Sequence, residues 1–166
     1  MKREYFQDHL PDKKCFGCGT ENAEGLQIKS YWEGDEAVCF WTPKPHHHGW
    51  TNILNGGILG TIIDCHCMGT AMAGAYRAEG RSLDSDPKYR YATGTMTVKY
   101  LKPTSNLDPV ELRATIREIK GKKTVMECRA YSNGVQTALA EVIAIRVVNT
   151  NESSHGNPFQ QGQANS

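Results

Sequence analysis

Between residue 45 and residue 76 the chain has one side chain among Asp, Glu, Lys and Arg, and it is Asp64. From about 56 to 77 this stretch reads as a single helix, free of proline and built from Gly, Ala, Ile, Leu and Met around that carboxylate. A helix with almost no polar face must be buried nearly all round. At about 100° per residue, Ile58, Ile62, Cys65, Gly69 and Met72 form one stripe. Asp64 lies roughly 120° from that stripe, beside Gly57, Met68, Ala71 and Ala75. Those neighbours are small and apolar rather than solvated. Asp64 is therefore expected to look into a cavity or across an interface, or to hydrogen-bond neighbouring backbone. A membrane span is the competing reading of so apolar a segment. Asn55, Asp64, His66 and the many glycines argue against it.

A chain of 166 residues suits one domain with a real core. Its net charge of +1 offers no basis for bulk nucleic-acid binding. The first residues lack the apolar core of a secretory signal, so a cytoplasmic location is the default expectation. Six cysteines, at 15, 18, 39, 65, 67 and 128, are then expected as free thiols.

Residues 1–14 are polar and expected to form a loosely ordered lead-in, followed by the turn-rich run Cys15-Phe-Gly-Cys-Gly-Thr-Glu-Asn. Two strands are predicted at 26–32 and 37–41, and Pro43 and Pro45 stop the second. A polar loop spans 78–91. In the strand predicted at 92–101, Ala92, Gly94, Met96, Val98 and Tyr100 fall on one face and Thr93, Thr95, Thr97 and Lys99 on the other. Further strands are predicted at 110–118, 124–131 and 136–148, joined by turns at Lys120-Gly121-Lys122 and Asn133-Gly134. Residues 149–166 are rich in Asn, Ser, Gln and Gly and expected to be a disordered polar tail. The order describes an α+β domain over 15–148, an antiparallel sheet around one central helix. A helix buried all round needs more cover than one sheet gives, so an oligomer is expected.

At this point the sequence resembles the hotdog fold, and within it the acyl-CoA thioesterases of the phenylacetate-pathway and 4-hydroxybenzoyl-CoA type. His47-His48-Gly49-Trp50 followed by Ile53-Leu54-Asn55-Gly56-Gly57 is similar to the family's His-x-Gly lead-in and His-Gly-Gly helix start. Asp64, nine residues after Asn55, matches the catalytic carboxylate, and Thr93, seven before Tyr100, matches a frequent Ser or Thr. Tyr100-Leu101-Lys102-Pro103 resembles the family's strand end, and Cys15-Phe-Gly-Cys-Gly with Asn22 and Gly25-Leu26 a lead-in seen in many hotdog proteins. Two positions depart from the pattern: Asn55 stands where the family has His before Gly-Gly, and Gly49 where it often has Asn or Gln.

The resemblance implies hydrolysis of an acyl-CoA thioester in a dimer or tetramer with shared sites. Asp64 would be general base or nucleophile, the Gly56 N–H would polarise the carbonyl, and Thr93 would hydrogen-bond water or Asp64. Asp64 and Thr93 of one subunit would face Asn55 and Gly56 of the other. His48 and Gly57 would line the substrate, and Lys120, Lys122 and Lys123 would meet the coenzyme A phosphates. Arg90, Lys99 and Lys102 flank another strand. Asn55 and Gly49 also motivate a second reading, a non-catalytic module binding an acyl-CoA or another apolar ligand. A hydratase-like enzyme would need His48 or His66 beside the Asp. No cofactor or metal is expected: Cys15-x-x-Cys18 is half a zinc site, but no second Cys or His pair is evident. Cys65 and Cys67, two apart on a helix, point about 200° from each other.

Overall fold

The structure, a computed structural model, describes residues 2–149. In chain order it contains β1 (Ser30–Glu33), β2 (Glu36–Trp41), α1 (Gly56–Ala78), β3 (Tyr89–Tyr100), β4 (Val110–Lys120), β5 (Lys123–Ser132) and β6 (Val135–Asn149). The six strands form one antiparallel sheet in the order β1-β2-β4-β5-β6-β3. This is the expected α+β architecture, and it leaves β3 as an edge strand. The hairpin turns follow local chemistry: Gly34, Gly121, Asn133 and Gly134 all sit at positive φ, as tight turns between twisted strands require.

Helix α1 starts where it does because Asn55 caps it. The Asn55 Oδ1 accepts from the N–H of Gly57 at 2.8 Å and of Ile58 at 3.2 Å. It ends in a Schellman arrangement: Gly80 is left-handed, its N–H donates to the Arg77 carbonyl, and the Arg81 N–H donates to the Tyr76 carbonyl. Leu59, Ile62, Ile63 and Met72 are buried, each contributing about 1.5–3 kcal/mol relative to exposure. At Gly74 a Cβ would fall 2.2 Å from Ile116 Cδ1, so the β4 side chain packs directly on the helix backbone and would have to move for any larger residue. The helix is long and apolar enough to cross a bilayer, yet most of its surface is occupied by the rest of the domain.

Several local expectations are corrected by long-range contacts. The lead-in is not loose: Phe6 and Gln7 are buried in a short 3-10 turn, Phe6–His9, against the side of α1 at Gly69. Residues 26–28 do not join the sheet. Leu26 and Ile28 instead donate to the carbonyls of Phe16 and Gly17 in the cysteine-bearing loop, and Gln27 is left-handed. The connection after the helix is pinned by Arg81, which stacks on Tyr76 and Tyr89 and bonds Glu79, Ser85 and the Pro87 carbonyl. The polar tail expected from 149 lies, beyond Asn149, outside the described residues.

The correction that matters most is in β3. Thr93 pairs with Ala144 and Thr95 with Ile143, so Gly94 is an extra residue, a bulge. Strict alternation would put Thr93 opposite Met96, Val98 and Tyr100. One inserted residue moves it onto their face, which is the face toward α1.

Candidate active site

Asp64 sits half-buried midway along α1, and the hydroxyl of Thr93 donates to its Oδ1. The bulge at Gly94 makes this contact possible. Asp64 Oδ2 receives no hydrogen bond from any described residue, and Thr93 is exposed, so the carboxylate opens toward the protein surface rather than into the core. Of the sequence-predicted residues, Asp64 and Thr93 are therefore brought together within one chain.

Asn55, Gly56 and Gly57 form a separate cluster at the exposed helix start. The Asn55 carbonyl oxygen is committed to the cap, whose backbone donors decide the amide's orientation. The cap takes the N–H groups of Gly57 and Ile58 and leaves that of Gly56. Gly57 thus keeps its close approach but not its donor, and Asn55 retains only its Nδ2 group for a ligand. Tyr100, at the far end of β3, donates its hydroxyl to the Gly56 carbonyl at 2.8 Å, with its ring against Gly56. Sequence reasoning left Tyr100 out of the site; the Tyr-Leu-x-Pro strand end was the signal that marked it.

The two clusters are eight residues apart on one straight helix, about 12 Å along its axis. One carbonyl cannot reach both in a single chain. The loop before the helix folds back tightly: Asn55 N–H donates to the His47 carbonyl, and Gly49 N–H to that of Ile53. His48 is exposed there, lining an open depression with Pro43, Pro45, Thr51, Asn52, Asn106 and Leu107. Lys120, Lys122 and Lys123 lie exposed at the β4–β5 hairpin. Thr124 pairs with Ala144, and Ala144 with Thr93, so that hairpin stands level with Thr93 two strand spacings away, about 10 Å.

The histidine in the same helix has a different setting. His66 is wholly buried; its Nε2 bonds the Ala37 carbonyl at 3.2 Å and its Nδ1 the Ser30 hydroxyl at 2.8 Å. Burial pushes its pKa down to about 4, against a raising contribution from the Ala37 hydrogen bond. A neutral ring with Nε2–H donating and Nδ1 accepting satisfies both contacts. His66 is on the β1–β2 side of the helix, so it cannot serve Asp64 as a hydratase would require. His47 is likewise occupied, its Nδ1 accepting from the Lys44 N–H.

No family model matches the chain. Acyl-coenzyme A thioesterase THEM4 of Bos taurus is 21% identical over 141 residues, which are 84% of this chain and 53% of that one. The chain thus spans about half the length of that curated relative. A thioesterase superfamily protein of Shewanella loihica superposes with a TM-score of 0.62 at 27% identity, over 78% of this chain and 98% of that one. A thioesterase of Haemophilus influenzae gives 0.63 at 14% identity, over 78% and 84% of the two chains. The E. coli PaaI protein from the phenylacetic acid degradation operon gives 0.60 at 15%, over 75% and 82%. The molecule has the hotdog fold, and the proteins it resembles in sequence and structure are members of the thioesterase superfamily.

Proposed function

We infer that the protein hydrolyses an acyl-CoA thioester in a site completed by a second copy of the chain. The observation that carries this reading is Asp64, the one ionisable carboxylate of the core helix, held by Thr93 with its other oxygen open. Asp64 Oδ2 takes a proton from water as that water attacks the thioester carbon. The developing oxyanion is received by the Gly56 N–H of the other copy, where the helix start favours negative charge. Collapse of the tetrahedral intermediate expels the coenzyme A thiolate, which recovers the proton from Asp64. The products are a carboxylic acid and a free thiol. The 12 Å between Asp64 and Gly56 of one helix is the reason for invoking two copies. The unpaired edge of β3 and the exposed Trp50, Tyr100, Leu101 and Leu107 near the helix start offer such a copy a surface. The lysines of the β4–β5 hairpin supply cations for the coenzyme A phosphates.

One observation favours a second reading. Asn55, at the position of the family's histidine, gives its carbonyl oxygen to the helix cap, and Gly49 has no side chain to offer. A module that binds an acyl-CoA without cleaving it is the alternative. Release of free thiol from short, medium, long and aromatic acyl-CoAs decides between them. Turnover of at least one ester, lost in Asp64→Asn, is the expected result. Calorimetric binding with no turnover across the panel establishes the alternative, and light scattering showing a monomer refutes the shared site.

A further inference from the structure

The loop at 15–19 and the helix bring three thiols together. The sulfur atoms of Cys15, Cys18 and Cys65 all lie within 4.8 Å of one another, and Cys15 Sγ is 3.7 Å from Cys65 Sγ. Four bonds of about 2.3 Å at tetrahedral angles place neighbouring sulfurs about 3.8 Å apart, so the closest pair already has the edge length of a zinc–thiolate tetrahedron. A disulfide requires about 2.05 Å.

The surroundings are built for the cluster. A Cβ at Gly17 would fall 2.3 Å from Cys65 Sγ, so a side chain there would displace the third sulfur from its place. A Cβ at Gly19 would fall 2.5 Å from the Lys13 carbonyl and 2.6 Å from Cys15 backbone atoms, and the Gly19 N–H donates to the Cys15 carbonyl at 2.8 Å. The backbone that closes the turn just after Cys18 therefore has a shape that a side chain at residue 19 would forbid. Sequence reasoning looked for a second pair of ligands; the helix instead supplies a single cysteine, and Cys67 is turned away into the core.

We propose that Cys15, Cys18 and Cys65 bind one zinc ion that clamps the N-terminal loop onto the central helix. Three thiol protons pass to solvent as three sulfur–zinc bonds form, zinc stays divalent, and no electron is transferred. Cys15 is half-buried, so the fourth ligand is water on that side. This site is independent of the hydrolysis reading, because Cys65 points about 100° from Asp64 around the helix.

The test uses the full chain without a polyhistidine tag, reduced, stripped with a chelator and titrated with zinc or cobalt(II). One equivalent of zinc is expected to bind and to raise the unfolding midpoint. Cobalt(II) is expected to produce sulfur-to-metal charge-transfer absorption, which histidines 46–48 cannot supply. Cys15→Ser and Cys65→Ala lose that band and weaken zinc by more than the ~10–100-fold typical of outer-shell changes. Cys128→Ala keeps the band. Reduced, folded wild-type chain that takes up neither ion overturns the proposal, whatever the variants do. So does a cobalt band that survives both Cys15→Ser and Cys65→Ala.

Discussion

Asp64 and His66 are two residues apart in the same apolar helix, and they have opposite fates. Their side chains leave the helix about 200° apart. His66 turns toward β1 and β2, where it is wholly buried and both ring nitrogens are bonded. Its network extends further: Ser30 Oγ accepts from Gln7 Nε2 at 2.9 Å, and Gln7 Oε1 accepts from the Ser30 N–H. Asp64 turns toward β3 at the sheet edge, where a bulge delivers one hydroxyl and the other carboxylate oxygen stays free. A closed polar network specifies packing; an open one retains capacity for a ligand. Residue type alone would have favoured the histidine as the catalytic group. The difference lies in what closes each edge of the one sheet: the Phe6–His9 turn packs on α1 and β1 on the His66 side, whereas Thr93 on edge strand β3 is exposed.

Substitution at both positions is the sharpest way to break this comparison. Asp64→Asn keeps the Thr93 contact and removes the base. Thioester turnover is expected to fall about 10²–10⁴-fold with little change in unfolding midpoint, read by thiol release and calorimetry side by side. A variant that hydrolyses normally removes Asp64 from the mechanism. His66→Leu should do the reverse. It strands Ser30 and Gln7 in the core and is expected to cost about 3 kcal/mol in denaturant unfolding, while turnover per folded molecule is kept.

The pH dependence of stability sharpens the contrast. The folded His66 titrates at about 4, below its unfolded value of 6.5. The unfolded chain therefore binds more protons between those limits, so His66's contribution is complete above about 6.5 and is lost as pH falls toward 4. Chemical denaturation across that window should show a loss of up to about 3 kcal/mol attributable to this residue, absent in His66→Leu. The smallest expected effect is at the helix start. Asn55→Ala should cost about 1 kcal/mol through the lost cap, and Asn55→Asp should restore most of it. If Asn55→Asp restores stability but not turnover, the Nδ2 group touches the substrate.

Much of the architecture was legible because periodicity is local. The uncharged run around Asp64 declared a buried helix, and Asn-Gly and Gly turn signals separated the strands after it. The Thr93–Asp64 pair was suggested by family resemblance, whereas strict alternation alone put Thr93 on the wrong face. An inserted residue in one strand is visible only against its partner's register. Tyr100 at Gly56 and the Asn55 cap taking the Gly57 donor were likewise invisible, since each depends on where the ends of β3 and α1 meet in space.

By itself the sequence determined that one apolar helix carries one carboxylate and that an antiparallel sheet must cover it, because both follow from the spacing of apolar residues along the chain. Only the tertiary structure decided that Asp64 stays open while His66 is sealed, that a bulge at Gly94 brings Thr93 across, and that Cys65 joins Cys15 and Cys18. Those outcomes depend on contacts between residues 29 to 50 positions apart, which no local pattern encodes.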